Sequence, residues 1–344
     1  MSIKNTWWEA LGLRSLEYPV PKYANTFWYS LGGLTLTCFA VSLLTGAVLT
    51  QFYNPTPLGA HASVNYIAET AGLGWVRAVH HWSANIGFFL LIVHMVRILY
   101  TGAFRPPRVA TYVVGLLLLF VVFQLFFTGT VIKWDQEGYE ALGHFLAVNK
   151  LLGPLGAVFQ EDFTLSTSML ARIYALHVGV FPSLLVLLIF FHLLYIKHFG
   201  IAPKPYQSDE DYQASLAQGA RFTHHLRLLV ILGSILIIVL VILALAWPPG
   251  LGETPKAGME VTKPPWVFWI LYPIESLIGI SGILLGTAVL AFGLILIPVL
   301  GITIRDEKKL FPIVRILVVI GLISWIAMMA ITYYLPTMQH LKMK

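Results

Sequence analysis

Long apolar runs alternate with short polar clusters along the whole chain. Seven of these runs can cross a bilayer as helices, since about 20 consecutive apolar residues span a hydrocarbon core about 30 Å thick. The pattern predicts them over 27–53, 74–101, 109–132, 170–199, 228–247, 278–302 and 314–334. An all-α membrane protein is therefore expected, a four-helix transmembrane bundle followed by three further transmembrane helices. The expected divisions are an amphipathic interfacial segment (1–26), the bundle (27–200), a polar linker (201–226) and a three-helix part (227–344). The opening MSIKNTWWEALGLRSLEYPVPKY has no continuous apolar core of the kind a secretory signal needs, and reads as a helix lying on the membrane surface. Two long connections stand out: 133–169, whose WDQEGYEALGHF predicts a surface helix, and 248–275, which contains KPPWVFWILYPIES.

Composition sharpens this picture. Of 344 residues, 58% are hydrophobic and only 11% charged, far from the roughly 25% charged of soluble domains. If the spans alternate, 14 of the 22 Lys and Arg fall on the side of the N-terminus. The positive-inside rule then puts the N-terminus in the cytoplasm of a multi-pass inner-membrane protein and the C-terminus outside. Cys38 is the single cysteine, so neither an intrachain disulfide nor a CxxCH haem attachment is expected. No phosphate loop, zinc cluster or nucleophile triad is legible, and nucleic acid is not an expected partner; membrane lipid is.

The chemistry lies in the histidines. VHHWSANIGFFLLIVHMVRILY carries His80 and His94 fourteen residues apart, and the fourth span carries His177 and His192 fifteen apart. Either interval returns nearly to the same helix face after a rise of about 21–22 Å. Ionisable groups at membrane depth are costly and mark function by default. With the N-terminus inside, His80 and His177 lie toward the outer surface and His94 and His192 toward the inner one. Two bis-histidine haems stacked across the membrane fit that geometry. Gly32 and Gly46 on the first span, and Gly115 and Gly129 on the third, repeat the 14-residue interval. They are read as leaving room for a flat macrocycle, against the alternative of ordinary close helix packing. Arg77 and Arg97 each lie three residues from a histidine on its water side and suit a haem propionate, or simply snorkel.

These stretches, with SLGGLTLTCF, FTGTVIKWDQEGY and RIYALHVGVFPSLL, resemble cytochrome b of cytochrome bc complexes over about residues 20–200. The four-helix form of photosynthetic membranes is the most similar, and the last three spans resemble the family's subunit IV part, here fused. The resemblance implies two non-covalent b-type haems, one on His80 and His177 and the other on His94 and His192, with Arg77 and Arg97 as propionate partners. It implies quinol and quinone as substrates, proton translocation coupled to electron transfer, a Rieske iron–sulfur protein and c-type cytochrome as partners, and a homodimer. Three departures matter. Ser30 stands where the photosynthetic type attaches a further haem through cysteine, so no covalently attached haem is expected. Pro264-Pro265-Trp266-Val267 replaces the family's Pro-Glu-Trp-Tyr, leaving Trp266 in place but removing the carboxylate that takes a quinol proton. Glu275, ten residues on, either substitutes for it or is a water-facing glutamate at a helix end. Lys133 replaces a proline and adds a cation near the expected quinol entrance.

On the inner side, Lys197 falls where the family has a basic residue at the quinone-reducing site, and His198, His224 and His225 are neighbouring proton carriers. These could equally be interfacial charges that fix topology. Two competing readings are a dihaem anchor that passes electrons between quinone and a peripheral dehydrogenase or reductase without bifurcation, and a transporter using its histidines as a proton or metal relay. Few acidic residues in the spans argue against the transporter.

Overall fold

The computed structural model describes residues 9–341. Eleven helices, numbered in chain order, make up most of it. They are α1 (Phe27–Leu49), α2 (Ala60–Glu69), α3 (Leu73–Thr101), α4 (Val109–Ile132) and α5 (Gln136–Leu151). Next come α6 (Met169–Phe199), α7 (Asp209–Ala217), α8 (Phe222–Ala246) and α9 (Tyr272–Ile278). The last are α10 (Ser281–Thr303) and α11 (Glu307–Tyr334). Seven of them, α1, α3, α4, α6, α8, α10 and α11, are long and apolar enough to cross a membrane.

Span boundaries move where capping chemistry outweighs hydropathy. Asp306 caps α11 by accepting from the Lys308 N–H at 2.9 Å, so this helix starts seven residues before its apolar run. Gly279, at φ 71°, ends α9 and separates it from α10. Besides α9, two further helices are additional. α2 precedes α3, and α7 lies in the expected linker, where Ser208 accepts from the Asp211 N–H at 3.1 Å and three acidic residues occupy the first turn. The surface helix expected after the third span is α5, capped by Asp135. Residues 1–8 of the expected N-terminal helix lie outside the described residues. Its remainder holds Glu9 and Ala10 in helical conformation, two short 3₁₀ turns (Leu13–Leu16 and Lys22–Ala24) and a two-residue strand, Pro19–Val20, paired antiparallel with Ala220–Arg221.

α1 packs most broadly on α3, and α4 on α6, while α3 meets α4 only lightly. The four helices thus form two pairs facing across a gap. α8 covers α1 and α3, turning Ile231, Ile235, Ile238 and Ile242 outward as an exposed apolar stripe suited to lipid. α11 packs on α3 around Phe104, Leu310 and Val314.

α6 is not a uniform helix. Leu176–Val180 form a π turn, and Pro182 follows immediately. A proline inside a helix lacks an N–H and crowds the carbonyl four residues back; the widened turn relieves that crowding and takes up one extra residue.

At the N-terminal end of the bundle, Arg108 closes the C-terminus of α6. Its guanidinium donates to the carbonyls of Phe199 at 2.9 Å, Gly200 at 3.1 Å and Ile201 at 3.3 Å. Tyr23 and Tyr212 add hydroxyl donors to the Ala202 and Ile201 carbonyls. Arg108→Ala is expected to cost about 1.5–3 kcal/mol, the range for hydrogen bonds from a charged donor. The measurements are a lower thermal midpoint in detergent and faster proteolysis at residues 200–208.

Candidate functional site

His80 and His94 project from α3, His177 and His192 from α6. The unequal intervals are reconciled by the π turn. Fifteen residues containing one widened turn advance about as far as fourteen of regular helix, about 21 Å. The two pairs are level as a result. Across the gap the His80 and His177 rings face each other with centroids 6.5 Å apart and planes at 72°. Two imidazole–metal bonds of about 2 Å each, plus the distance from each ring centre to its nitrogen, need about 6 Å. The separation fits an iron held between the two Nε2 atoms. His94 and His192 lie on the same two helices at the other level, each with its ring against a glycine, Gly32 and Gly115 respectively.

Hydrogen bonds assign the outer tautomers. His80 Nδ1 lies 3.0 Å from the Ser42 carbonyl and 3.2 Å from the Thr45 hydroxyl. A carbonyl can only accept, and Thr45 already donates to the Val41 carbonyl at 2.7 Å. His80 Nδ1 therefore carries the proton and Nε2 keeps its lone pair. Thr128 plays the same part for His177, at 2.9 Å from Nδ1 while donating to the Gln124 carbonyl at 2.7 Å. Metal-ligating histidines hold their second nitrogen in this way. The inner histidines differ, because among the described residues His94 Nδ1 has no hydrogen-bond partner and His192 is near only the Thr111 backbone.

The four glycines act on the histidines directly. A Cβ on Gly46 would lie 3.1 Å from His80 Cε1, and one on Gly32 3.1 Å from His94 Cε1. On the other pair, a Cβ on Gly129 would lie 3.0 Å from His177 Cε1 and one on Gly115 3.5 Å from His192 Cε1. The space they leave thus receives imidazole edges from the partner helix of the same pair. A missing Cβ lets each ring sit against helix backbone.

The arginines diverge. Arg97 stacks over the Tyr29 ring at 4.0 Å and its Nε has no partner among the described residues. Arg77 donates to the carbonyls of Pro249 at 2.7 Å and Gly250 at 2.9 Å, fastening the turn after α8. Lys133 does not stand as a free cation, being paired with Asp135 at 3.0 Å and with Glu137. Lys197 is exposed at the end of α6 without a hydrogen bond or ion pair among the described residues, while His225 is buried. Trp266 donates its indole N–H to Asn85 at 2.6 Å and packs edge-on against Phe88 and Phe126, with the neighbouring Val267 buried in the same core.

Glu275 is not a water-facing residue. It is 4% exposed on α9 and gathers with His144 of α5, Glu260 and His340. His144 Nε2 lies 3.1 Å from Glu260 Oε1 and 3.0 Å from Glu275 Oε1. Burial alone would lower the His144 pKa, but the two carboxylates outweigh it and push it up to about 10. Glu260 is the converse. Burial would raise it, yet His144 and the backbone N–H groups of Leu341 and His340 hold it below the ordinary carboxylate value. His144, Glu260 and His340 were not legible as site residues, because 116 and 80 positions separate them along the chain and no local spacing connects them. Thr45 and Thr128 did leave a signal, a Thr-Gly step repeated at the outer level of two spans.

The sequence pattern of the family described as Cytochrome b/b6/petB matches residues 15–200. Over 191 residues the chain is 38% identical to cytochrome b6 of Heliobacterium modesticaldum, covering 54% of this chain and 90% of that protein. Its fold is similar to that of a solved chain from a hyperthermophilic respiratory Complex III, with TM-score 0.74 and 22% identity over 97% of this chain and 90% of that one. The sequence match ends with α6, and the likeness in fold continues through the last three spans.

Two outcomes are expected. Gly129→Ala, the tightest seat, lowers the outer-site haem measured by reduced-minus-oxidised spectra, whereas Gly115→Ala, the loosest, leaves the inner signal intact. Deleting Gly179 from the π turn restores a 14-residue interval and keeps both haem signals; deleting Leu187, in regular helix, removes one.

Proposed function

The chain belongs to the cytochrome b/b6 family, and from that premise we propose that it is the electron-carrying cytochrome b subunit of a bc-type quinol oxidoreductase coupled to proton translocation. One observation carries the reading: His80 and His177 face each other across the gap between the two helix pairs, spaced at 6.5 Å for an iron between the rings. His80 with His177, and His94 with His192, would hold two non-covalent b-type haems. Bound there, these supply one-electron redox centres at two depths.

The remaining steps belong to the chain's own side chains. Thr45, Thr128 and the Ser42 carbonyl keep the outer Nε2 atoms unprotonated. Arg97, with an unshared Nε, suits an anionic propionate at the inner level. Arg77 contributes more by holding the turn at Pro249 and Gly250 over the outer pair. Trp266, fixed by Asn85 and the Phe88–Phe126 rings, forms an apolar wall for quinol. Glu275 then takes the proton that Pro265 cannot. Its burial supports this role, as does His144 at 3.0 Å, a hydrogen-bond donor that orients the carboxylate. At the other face, Lys197 and the buried His225 serve quinone reduction. In this reading residues 27–200 carry the cofactors and 227–344 close the outer quinol site. The complex lies in the inner membrane with the N-terminus in the cytoplasm, and a Rieske protein, c-type cytochrome and a second copy complete it.

Pro265 also supports a second reading, a dihaem anchor serving a peripheral dehydrogenase or reductase without bifurcation. Purification of the chain with its companions separates the two, because a co-purifying Rieske protein supports the first and a flavin or other dehydrogenase subunit the second. Two haems per chain and reduction by added quinol are expected in either case. Glu275→Gln is expected to slow quinol oxidation at least about tenfold with both haem spectra unchanged. An unaltered rate rules out the proton role.

A further inference from the structure

We propose that the outer face holds a second metal centre, a tetrahedral Zn2+ site made by His144, Glu260, Glu275 and His340. These residues come from α5, the 248–271 connection, α9 and the tail after α11. Around a bond length of about 2.0 Å, neighbouring ligands of a tetrahedral zinc lie about 3.3 Å apart. The four histidine–carboxylate separations are 3.0 and 3.1 Å from His144 Nε2 and 3.5 and 3.6 Å from His340 Nδ1. They bracket that value, and the ligand atoms of His144, Glu275 and His340 all lie within 4.8 Å of one another.

Hydrogen bonding points to a cation at the centre. His144 Nδ1 lies 2.8 Å from the Glu140 carbonyl, which can only accept, so the Nδ1 proton is committed there. In the neutral ring, Nε2 is a lone pair directed at two carboxylate oxygens. His340 is buried, with a side chain 5% exposed, and neither of its nitrogens has a hydrogen-bond partner among the described residues. A proton on His144 would satisfy one carboxylate and leave the His340 ring facing the other oxygens unpaired. A divalent ion satisfies all four groups together.

The outer partners are also those of a metal site. Ligating imidazoles donate their second N–H to a carbonyl, and ligating carboxylates are themselves hydrogen-bonded. Glu260 Oε2 accepts from the backbone N–H of His340 at 2.7 Å and of Leu341 at 2.9 Å. A donor set of two imidazoles and two carboxylates favours zinc over magnesium or calcium, which take larger all-oxygen sets. The ion would pin the tail to the outer connection, where Tyr272 already donates to the Pro336 carbonyl at 3.1 Å and accepts from the Met338 N–H at 2.9 Å. Glu275 cannot bind the ion and accept a quinol proton at once, so the two roles belong to ion-loaded and ion-free protein.

The test uses the full haem-loaded chain in detergent, stripped with chelator and then equilibrated with Zn2+. Zinc and iron are counted per chain by mass spectrometry, and the zinc X-ray absorption edge reads the ligands without interference from haem. Expected are one retained zinc per chain, a shell of nitrogen and oxygen at about 2.0 Å, and imidazole scattering from two rings. His144→Ala and His340→Ala should each weaken binding at least about tenfold with haem content unchanged. His61→Ala, an outer imidazole outside the cluster, should keep full affinity. Non-stoichiometric zinc, a shell without imidazole, affinity indifferent to both cluster variants, or equal loss in His61→Ala would overturn the proposal.

Discussion

The structure depends on an imidazole ring seated against a helix where a side chain is missing. In lipid, apolar burial gives helices little reason to associate, and close approach through small residues takes over. Here the same glycines that permit close approach of α1 to α3 and of α4 to α6 also receive the Cε1 edges of all four histidines. Packing and site formation are one event. At the outer level the residue before each glycine is a threonine, Thr45 or Thr128, which fixes the ring by hydrogen bond as well as by shape. At the inner level those positions are Leu31 and Val114, which offer no hydroxyl to the rings.

The spans and the histidine levels were legible in the sequence because both are periodic. Length and apolarity mark a membrane helix without reference to its neighbours, and a ligand repeated after four turns marks a face. Glycine was legible as a level but not as a contact, since its packing partner lies on another helix. The ends of α11 and the presence of α7 were set by Asp306 and Ser208, whose capping signals are weak beside a strong hydropathy pattern. The π turn was hidden for a different reason. Its only trace was the fifteenth residue between His177 and His192, which by itself reads as a rotation of the second ligand rather than as a widened turn.

The outer connection shows what spacing cannot reveal. Glu140 accepts from the Val261 N–H at 2.8 Å and the Thr262 N–H at 3.0 Å, and Asp135 from the Gly252 N–H at 2.9 Å. Carboxylates of α5 thus hold the loop that carries Trp266 and deliver Glu260 to His144. Acidic residues that look like surface charge in the sequence are buried loop anchors. Lys133, at first sight a cation beside an entrance, neutralises part of that cluster.

The halves of the chain are joined by more than the peptide bonds between them. Pro19–Val20 pairs with Ala220–Arg221, Tyr18 stacks on Phe222, α8 lies along α1 and α3, and the 248–271 loop is clamped by α5. Covalent continuity through residues 201–208 is therefore redundant for holding the assembly together. The same architecture could be made from two separately translated polypeptides, and a gene could be split or fused at that point without altering either histidine level.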